Sequence, residues 1–209
     1  MIEDLRQRWN RTAKRLSMKD ADRDALFEEI LKRHSERHRA YHGLDHLRAL
    51  FKVLEPVRDE IEDPARVELA IWFHDIIYKP LRSDNEPKSA DLAVNRLTRC
   101  GVDSGLIKRV DHLIRATARH QDGGSDTDDA LFLDADFSIL GAPHDTYAEY
   151  IAGVRREFRL VPEPLFNSGR AKFLRHALAQ DRIFHTDYFE NTFGAQAREN
   201  MRLELSNIQ

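Results

Sequence analysis

The sequence has a single cysteine, few glycines and prolines, and no long apolar run. One thiol, Cys100, forms neither an internal disulfide nor a multi-cysteine zinc cluster, so both are excluded. The 9 Gly and 7 Pro residues among 209 are too few for the turns of a sandwich or barrel of short strands. Apolar runs such as 69–73 are short, and charged residues follow Met1 at once. We therefore expect a cytoplasmic protein with no membrane partner.

Charge of one sign is also lacking. The 33 Lys and Arg residues face 36 Asp and Glu residues, which leaves a formal net charge of −3. A protein that binds nucleic acid mainly through its phosphates carries a strong basic excess, so nucleic acid is not expected as a primary partner. A length of 209 residues with 41% hydrophobic residues is enough for one domain with a sizeable core.

Apolar residues recur at three-to-four spacing through nearly the whole sequence, which is the period of amphipathic helices. This pattern predicts an all-α fold, a single helical bundle of about ten helices over residues 1–209. The predicted helices are Glu3–Leu16, Asp20–His38, Leu44–Leu54, Pro64–Tyr78, Asn85–Cys100, Ser104–His120, Asp128–Leu140, Pro143–Phe158, Gly169–Ala179 and Tyr188–Leu205.

Several polar side chains fall on the apolar faces of these predicted helices. His46 lies within the apolar arc of the third helix, and His42 precedes it by one turn on the same face. In the fourth helix His74 falls among apolar residues and Asp75 borders them. Each histidine taken alone is explained better by a hydrogen bond to a carbonyl or hydroxyl group than by a metal ion.

Two carboxylates stand in the apolar stretch 131–140 and face different ways. Asp136 lies within the apolar arc, whereas Asp134 groups with small and polar residues. A buried carboxylate is costly unless it is paired or bound to a metal. Two inward histidines with Asp75 and Asp136 form a nitrogen and oxygen ligand set that suits Zn²⁺, Mn²⁺, Fe²⁺, Ni²⁺ or Co²⁺.

The order His46, His74-Asp75, Asp136 resembles the HD superfamily of metal-dependent phosphohydrolases, whose ligands run His, His-Asp, Asp. The resemblance covers about residues 41–140, the expected metal-site core. Residues 41–46, Tyr-His-Gly-Leu-Asp-His, are also similar to the Tyr-His-Asn-x-x-His signature of cyclic-nucleotide phosphodiesterases. Flanking blocks further along the chain resemble the bacterial group of predicted metal-dependent HD phosphohydrolases.

The resemblance implies a phosphohydrolase that cleaves a phosphate ester of a small molecule, with nucleotides among the candidates, by means of a metal-activated water. It implies one divalent ion, or two, drawn from Mn, Co, Ni, Fe, Zn and Mg. The implied metal ligands are His46, His74, Asp75 and Asp136. The implied catalytic residues are His42 as proton donor, Asp75 as the group that orients the water, and His120. His120 lies in a run similar to the second-metal segment of dinuclear members, but that run has one histidine here, so contact with the phosphate or with a metal ligand is favoured over binding of a second metal. The candidates for binding substrate are Lys79, Glu86, Arg155 and Arg170.

Two other functions fit the same residues. Some HD proteins hold two irons and use O₂ to oxidise or cleave their substrates, and a non-catalytic sensor binds a nucleotide through a residual metal site. A helical bundle without metal, in which the histidines only donate hydrogen bonds in the core, is a third reading. A homo-oligomer is left open by the sequence.

Overall fold

The computed structural model describes residues 2–118 and 125–208, and every regular element in these ranges is helical. The helices are α1 (Ile2–Arg15), α2 (Asp20–His34), α3 (Leu44–Leu54), α4 (Pro64–Phe73), α5 (Asn85–Arg99), α6 (Ser104–Ala116), α7 (Thr127–Phe137), α8 (His144–Glu157), α9 (Glu163–Leu178) and α10 (187–207). Short 3₁₀ helices follow α3 (Glu55–Glu60) and α7 (Ser138–Gly141). Helix α10 joins one turn at Asp187–Phe189, a π-helical segment at Glu190–Gly194 and a regular helix at Ala195–Asn207. The prediction of an all-α bundle of about ten helices is confirmed.

The helices pack around one apolar core, with α4 at its centre. Most of α4 is buried, and the ring of Trp72 packs against the rings of Trp9, Phe27 and Phe51 from α1, α2 and α3. A helix that is apolar on all sides belongs in the interior of a fold. The end of α4 is therefore deep in the protein, and there His74 is only 1% exposed. Among the helices of the described ranges, none has both the length and the apolar character needed to cross a membrane.

Helix α4 ends at Phe73, so the prediction that it continues to Tyr78 is wrong. Side chains from other elements take the backbone groups that a longer helix would use. Arg39 donates to the carbonyl groups of Asp75 and Ile76. The Ser89 hydroxyl hydrogen-bonds both the N–H and the C=O of residue 77, and the Asn85 amide does the same for residue 79. Residues 74–79 thus form an ordered connection. Side chains hydrogen-bond its backbone groups, so it needs no helical hydrogen bonds.

Four other helix boundaries differ from the prediction by three residues or more. Helix α6 ends at Ala116 rather than His120, and α7 ends at Phe137 rather than Leu140 because a 3₁₀ helix follows from Ser138. Helix α2 ends at His34 rather than His38, and residues 35–43 form turns and irregular backbone. Helix α9 begins at Glu163 rather than Gly169, with Pro164 in its first turn. Proline is tolerated in a first turn because the N–H it lacks would be unpaired there in any case.

Candidate metal centre

Four of the residues predicted to bind metal converge at one buried point, and we call them the His/Asp cluster: His46, His74, Asp75 and Asp136. The Nε2 atoms of His46 and His74 lie 3.1 Å apart. Oδ1 of Asp136 is 3.2 Å from Nε2 of His46 and 3.8 Å from Nε2 of His74. Oδ2 of Asp75 is 3.4 Å from Nε2 of His74 and 3.9 Å from Nε2 of His46. The imidazoles are buried, whereas the carboxylates keep 15% and 13% of their side-chain surface exposed.

Three helices bring these side chains together. His46 lies in the first turn of α3, which begins directly after Gly43. His74 is the C-cap residue of α4 and Asp75 follows it, while Asp136 lies in the last turn of α7. Residues 28 to 90 positions apart in the sequence therefore meet at one point because helix ends, rather than helix middles, converge on it.

Three of these residues could together hold a divalent ion. Nitrogen and oxygen ligands bind such ions at about 2.0–2.2 Å, so neighbouring ligand atoms lie about 3.0–3.4 Å apart around one ion. His46, His74 and Asp136 together can offer one ligand atom each within 4.8 Å of one another. Nδ1 of His74 lies 3.1 Å from the Ile71 carbonyl, and a proton donated there leaves Nε2 free of its proton for a metal. The distance of 3.1 Å between Nε2 of His46 and Nε2 of His74 also fits a hydrogen bond from His46 to His74 in a metal-free protein.

The charges around Asp75 favour its ionised form. Burial alone would raise the pKa of this carboxyl group, but the neighbouring imidazoles of His74, His42 and His46 lower it below its ordinary value. A carboxylate that stays ionised at neutral pH accepts hydrogen bonds and binds cations, and it donates no proton.

Arg39, which no sequence pattern singles out, joins the two segments that carry the cluster. Its side chain is fully buried, and it donates to the carbonyl groups of His42, Asp75 and Ile76 at 2.9, 2.7 and 3.1 Å. Burial lowers the pKa of this guanidinium group, and the nearby Asp75 and Glu36 carboxylates oppose that shift. The fork of the guanidinium therefore fixes the backbone of Asp75 relative to that of His42.

Glu157 at the end of α8 organises the other side of the site. One of its oxygens, Oε1, accepts from the backbone N–H groups of residues 40–42 at 2.8, 2.8 and 3.0 Å. The other, Oε2, accepts from the Tyr78 hydroxyl at 2.7 Å and lies 2.7 Å from Nδ1 of His42. Gly153 lets this loop approach α8, since a Cβ atom there would lie 3.2 Å from Cβ of Tyr41.

These contacts set the charge of Glu157 and the tautomer of His42. Burial alone would raise the pKa of Glu157, but the hydrogen bond and charge of His42, with the Tyr41 amide and the Tyr78 hydroxyl, lower it to about 2. An ionised Glu157 requires a proton on Nδ1 of His42 for the short contact between them. The His42 ring also stacks on Tyr78, with 4.2 Å between ring centroids.

The other predicted site residues are not part of the His/Asp cluster. The guanidinium of Arg155 donates to the carbonyls of Phe158 and Val161 and lies over the Phe166 ring. It closes the C-terminal end of α8, where carbonyl groups lack helical partners. Lys79 is exposed on the segment after α4, and Glu86 is half-buried in the first turn of α5. His120 lies outside the described residues.

Arg170 is held in a buried ion pair. It donates to both oxygens of Glu204, at 2.7 and 3.0 Å, and to the Tyr150 hydroxyl at 2.9 Å. The hydroxyl of Tyr147 donates to the same Glu204 carboxylate. Arg170 thus ties α9 to α8 and α10, and it reaches the candidate site only through Tyr150.

Asp134 is buried more deeply than Asp136, so the prediction that it lies on a small and polar side of its helix is wrong. Its two oxygens accept from the backbone N–H groups of His185 and Thr186 and from the Thr186 hydroxyl. The loop before α10 covers this face of α7, so α7 has no side open to water there. Asp134 pairs the backbone of that loop and takes no part in the His/Asp cluster.

A cavity of about 800 Å³ opens beside the His/Asp cluster. His46 and Asp136 belong to its lining, together with Tyr41 and Tyr150, whose rings meet edge to face. The remaining lining residues are Ala40, Asp45, Ala49, Leu50, Lys52, Val53, Pro56, Ala135, Ser138, Ile139, Ala142, Pro143, Thr146, Glu149, Ala152, Arg156, Tyr188 and Phe193. Pockets of this volume hold small organic ligands.

One residue missed by the sequence reasoning did have a detectable signal. Tyr147, Tyr150, Val154 and Glu157 recur at helical spacing on one face of α8, so Glu157 falls in line with inward-facing residues. Arg39 had no such signal because it lies in an irregular loop. Comparison with protein-family models, with curated proteins and with solved structures found no match to this chain.

Proposed function

We propose that this protein is a metal-dependent phosphohydrolase that cleaves a phosphate ester of a small molecule. The observation that carries the proposal is the convergence of His46, His74, Asp75 and Asp136 at one buried point beside a cavity. The order of these residues in the chain resembles that of the HD-superfamily ligands, and the resemblance supplies the reaction class.

The His/Asp cluster would hold a divalent ion through Nε2 of His46 and of His74 and through the carboxylates of Asp75 and Asp136. Such an ion, when bound, lowers the pKa of a coordinated water and stabilises charge that develops on a phosphoryl oxygen. Asp75 stays ionised because three imidazoles surround it, so it can accept a hydrogen bond from the attacking water and orient it.

His42 is proposed to donate a proton to the leaving oxygen of the ester. Glu157 holds the proton on Nδ1, so Nε2 is the atom from which His42 can give a proton to a substrate. The contact of Nδ1 with Glu157 and the stacking on Tyr78 together fix the orientation of the His42 ring. This is the arrangement of an acid whose orientation is set by a buried carboxylate.

Among the predicted phosphate-binding residues, Lys79 fits the proposal best. It is exposed and follows Asp75 by four residues on the ordered segment after α4. The guanidinium groups of Arg155 and Arg170 donate to backbone carbonyls and to Glu204, so a phosphate would have to displace those contacts.

The test measures phosphate release and metal content together. The wild type, His42→Ala and Asp136→Ala are loaded with Mn²⁺, Co²⁺, Ni²⁺, Fe²⁺, Zn²⁺ or Mg²⁺ and supplied with a panel of phosphate esters and nucleotides. His42→Ala is expected to keep its metal and to lose about 10²–10⁴ in turnover. Asp136→Ala is expected to lose metal and activity together, and Asp145→Ala, which removes an exposed carboxylate on α8, is the matched control.

Three results would contradict the proposal. One is a turnover of His42→Ala equal to that of the wild type, which would mean that His42 is not the proton donor. Another is metal-loaded protein that releases no phosphate from any ester of the panel. The third is a purified protein with two irons and no phosphatase activity, which is the result expected of a di-iron oxygenase.

A further inference from the structure

We propose that the cavity beside the His/Asp cluster selects phosphate esters whose alcohol carries an extended apolar group. The reaction on such an ester rests on the proposed phosphohydrolase function, whereas the binding of the apolar group does not. The inference follows from the side chains that line the cavity and from where along α3 they lie.

One wall of the cavity follows α3 away from the His/Asp cluster. His46, Ala49, Leu50 and Val53 line it at steps of one or three residues, so they share one face of the helix. Pro56 continues this wall from the 3₁₀ helix that follows α3. Ten residues of helix rise about 15 Å, so the wall extends about that far beyond His46. All four residues after His46 are apolar, which gives a long apolar surface that starts at the cluster.

The opposite wall is also mostly apolar. Ala135, Ile139 and Ala142 line it from the end of α7 and the turn after it, and Phe193 from α10 joins them. The hydroxyl of Ser138, on the same wall, already donates to the Ala135 carbonyl. A nucleobase needs donors and acceptors at its edges, and these inner walls offer it few, because a buried polar group without a partner is costly.

The charged lining residues do not favour a polyphosphate. Asp45, Lys52, Glu149 and Arg156 are exposed and line the cavity, two of each sign. Positive and negative charges that balance in this way do not attract a highly charged anion. A cavity entrance lined only by positive side chains would attract one. The phosphate of a ligand is therefore expected at the cluster end, and its apolar group along α3.

Binding of a homologous series tests the inference. Butyl, hexyl and octyl phosphate and AMP are titrated into the protein by calorimetry, below the micelle concentration, with and without bound metal. Each methylene group that leaves water tightens binding by at most about fourfold. Octyl phosphate is expected to bind at least about tenfold more tightly than butyl phosphate and more tightly than AMP.

A matched pair of variants locates the binding. Ala49→Phe fills the α3 wall, and Ala148→Phe makes the same change at an exposed position of α8 outside the lining. Ala49→Phe is expected to weaken the binding of octyl phosphate by about tenfold or more. It should have little effect on the binding of butyl phosphate or on the metal content. Ala148→Phe is expected to change none of these. Val53→Asn, which places an amide in the same wall without adding bulk, should act in the same direction if Ala49→Phe fails to fold.

The outcomes separate this inference from the proposed function. Affinity that does not change with chain length, or AMP bound more tightly than octyl phosphate, overturns the inference even if phosphate is released. A steep dependence on chain length that Ala49→Phe removes upholds it, even if no metal brings about hydrolysis and the proposed function fails.

Discussion

Replacement of Glu157 by Gln tests whether one buried carboxylate organises the loop that carries His42. Gln keeps the shape of the side chain and an oxygen for the three backbone N–H groups of residues 40–42. It loses the negative charge and the second acceptor, which the structure uses for the Tyr78 hydroxyl and Nδ1 of His42. The amide nitrogen would face two donors, so the imidazole would have to move its proton to Nε2.

The size of the effect follows from the pKa of Glu157. This pKa falls from an ordinary 4.5 to about 2 in the folded protein. At about 1.36 kcal/mol for each pH unit, the difference stabilises the folded state by about 3 kcal/mol at neutral pH. Because the folded-state pKa is the lower one, this stabilisation is complete above about pH 4.5 and is lost as the pH falls towards 2. By linkage about 1.4 kcal/mol remains at about pH 3.

The assay is urea unfolding of the metal-free wild type and Glu157→Gln, followed by circular dichroism at a series of pH values. The free energies of unfolding are expected to differ by about 3 kcal/mol from pH 7 to 5 and by about half as much near pH 3. Glu149→Gln, at an exposed position on the same helix, is the control and is expected to change stability by less than about 0.5 kcal/mol.

Two results would refute the reasoning about Glu157. One is a difference of less than about 1 kcal/mol at neutral pH, which would mean that the carboxylate is not needed to hold the loop. The other is a difference that stays constant down to about pH 3, which would mean that the loss comes from packing rather than from charge.

Two further predictions concern buried groups on other helices. Asp134→Ala is expected to lower the free energy of unfolding by about 3 kcal/mol, because two backbone N–H groups of the loop before α10 lose their acceptor. Asp136→Ala should cost less than about 1 kcal/mol and abolish metal binding instead, and equal losses of stability would contradict the distinction. Arg170→Met should cost about 3–5 kcal/mol because the buried Glu204 carboxylate loses its cation, and Glu204→Met in the same chain should restore much of it in a double-mutant cycle. Wild-type stability of Arg170→Met with weaker substrate binding would instead favour the phosphate-binding role predicted from the sequence.

The sequence predicted the helices and the inward direction of His46 and Asp136 because these residues lie inside regular helices. A helical period assigns a face to each residue without knowledge of the rest of the fold. The same argument failed for Asp134. The helical period distinguishes buried from exposed residues only when one side of the helix faces water. The loop before α10 covers that side, and nothing in the sequence of α7 indicates it.

The contacts of Glu157 and Arg39 were beyond sequence reasoning for a different reason. Glu157 bonds backbone groups 115 to 117 positions away, and Arg39 bonds carbonyl groups 36 and 37 positions away. A backbone N–H or C=O group is present at nearly every residue, so no residue type marks the partner. These two side chains determine where His42 and Asp75 lie, and Arg39 also pairs backbone carbonyls just after the end of α4.

Metal content tests the central claim most directly. The wild type, His74→Ala and His144→Ala are purified, loaded with Mn²⁺, Co²⁺, Ni²⁺ or Zn²⁺, desalted and measured by elemental analysis. His144 is exposed on α8 and serves as the matched histidine control. The account predicts about one divalent ion for each chain in the wild type and in His144→Ala, and a loss of most of it in His74→Ala. Wild-type protein that retains no metal after any loading, or His74→Ala that retains as much as the wild type, would contradict it.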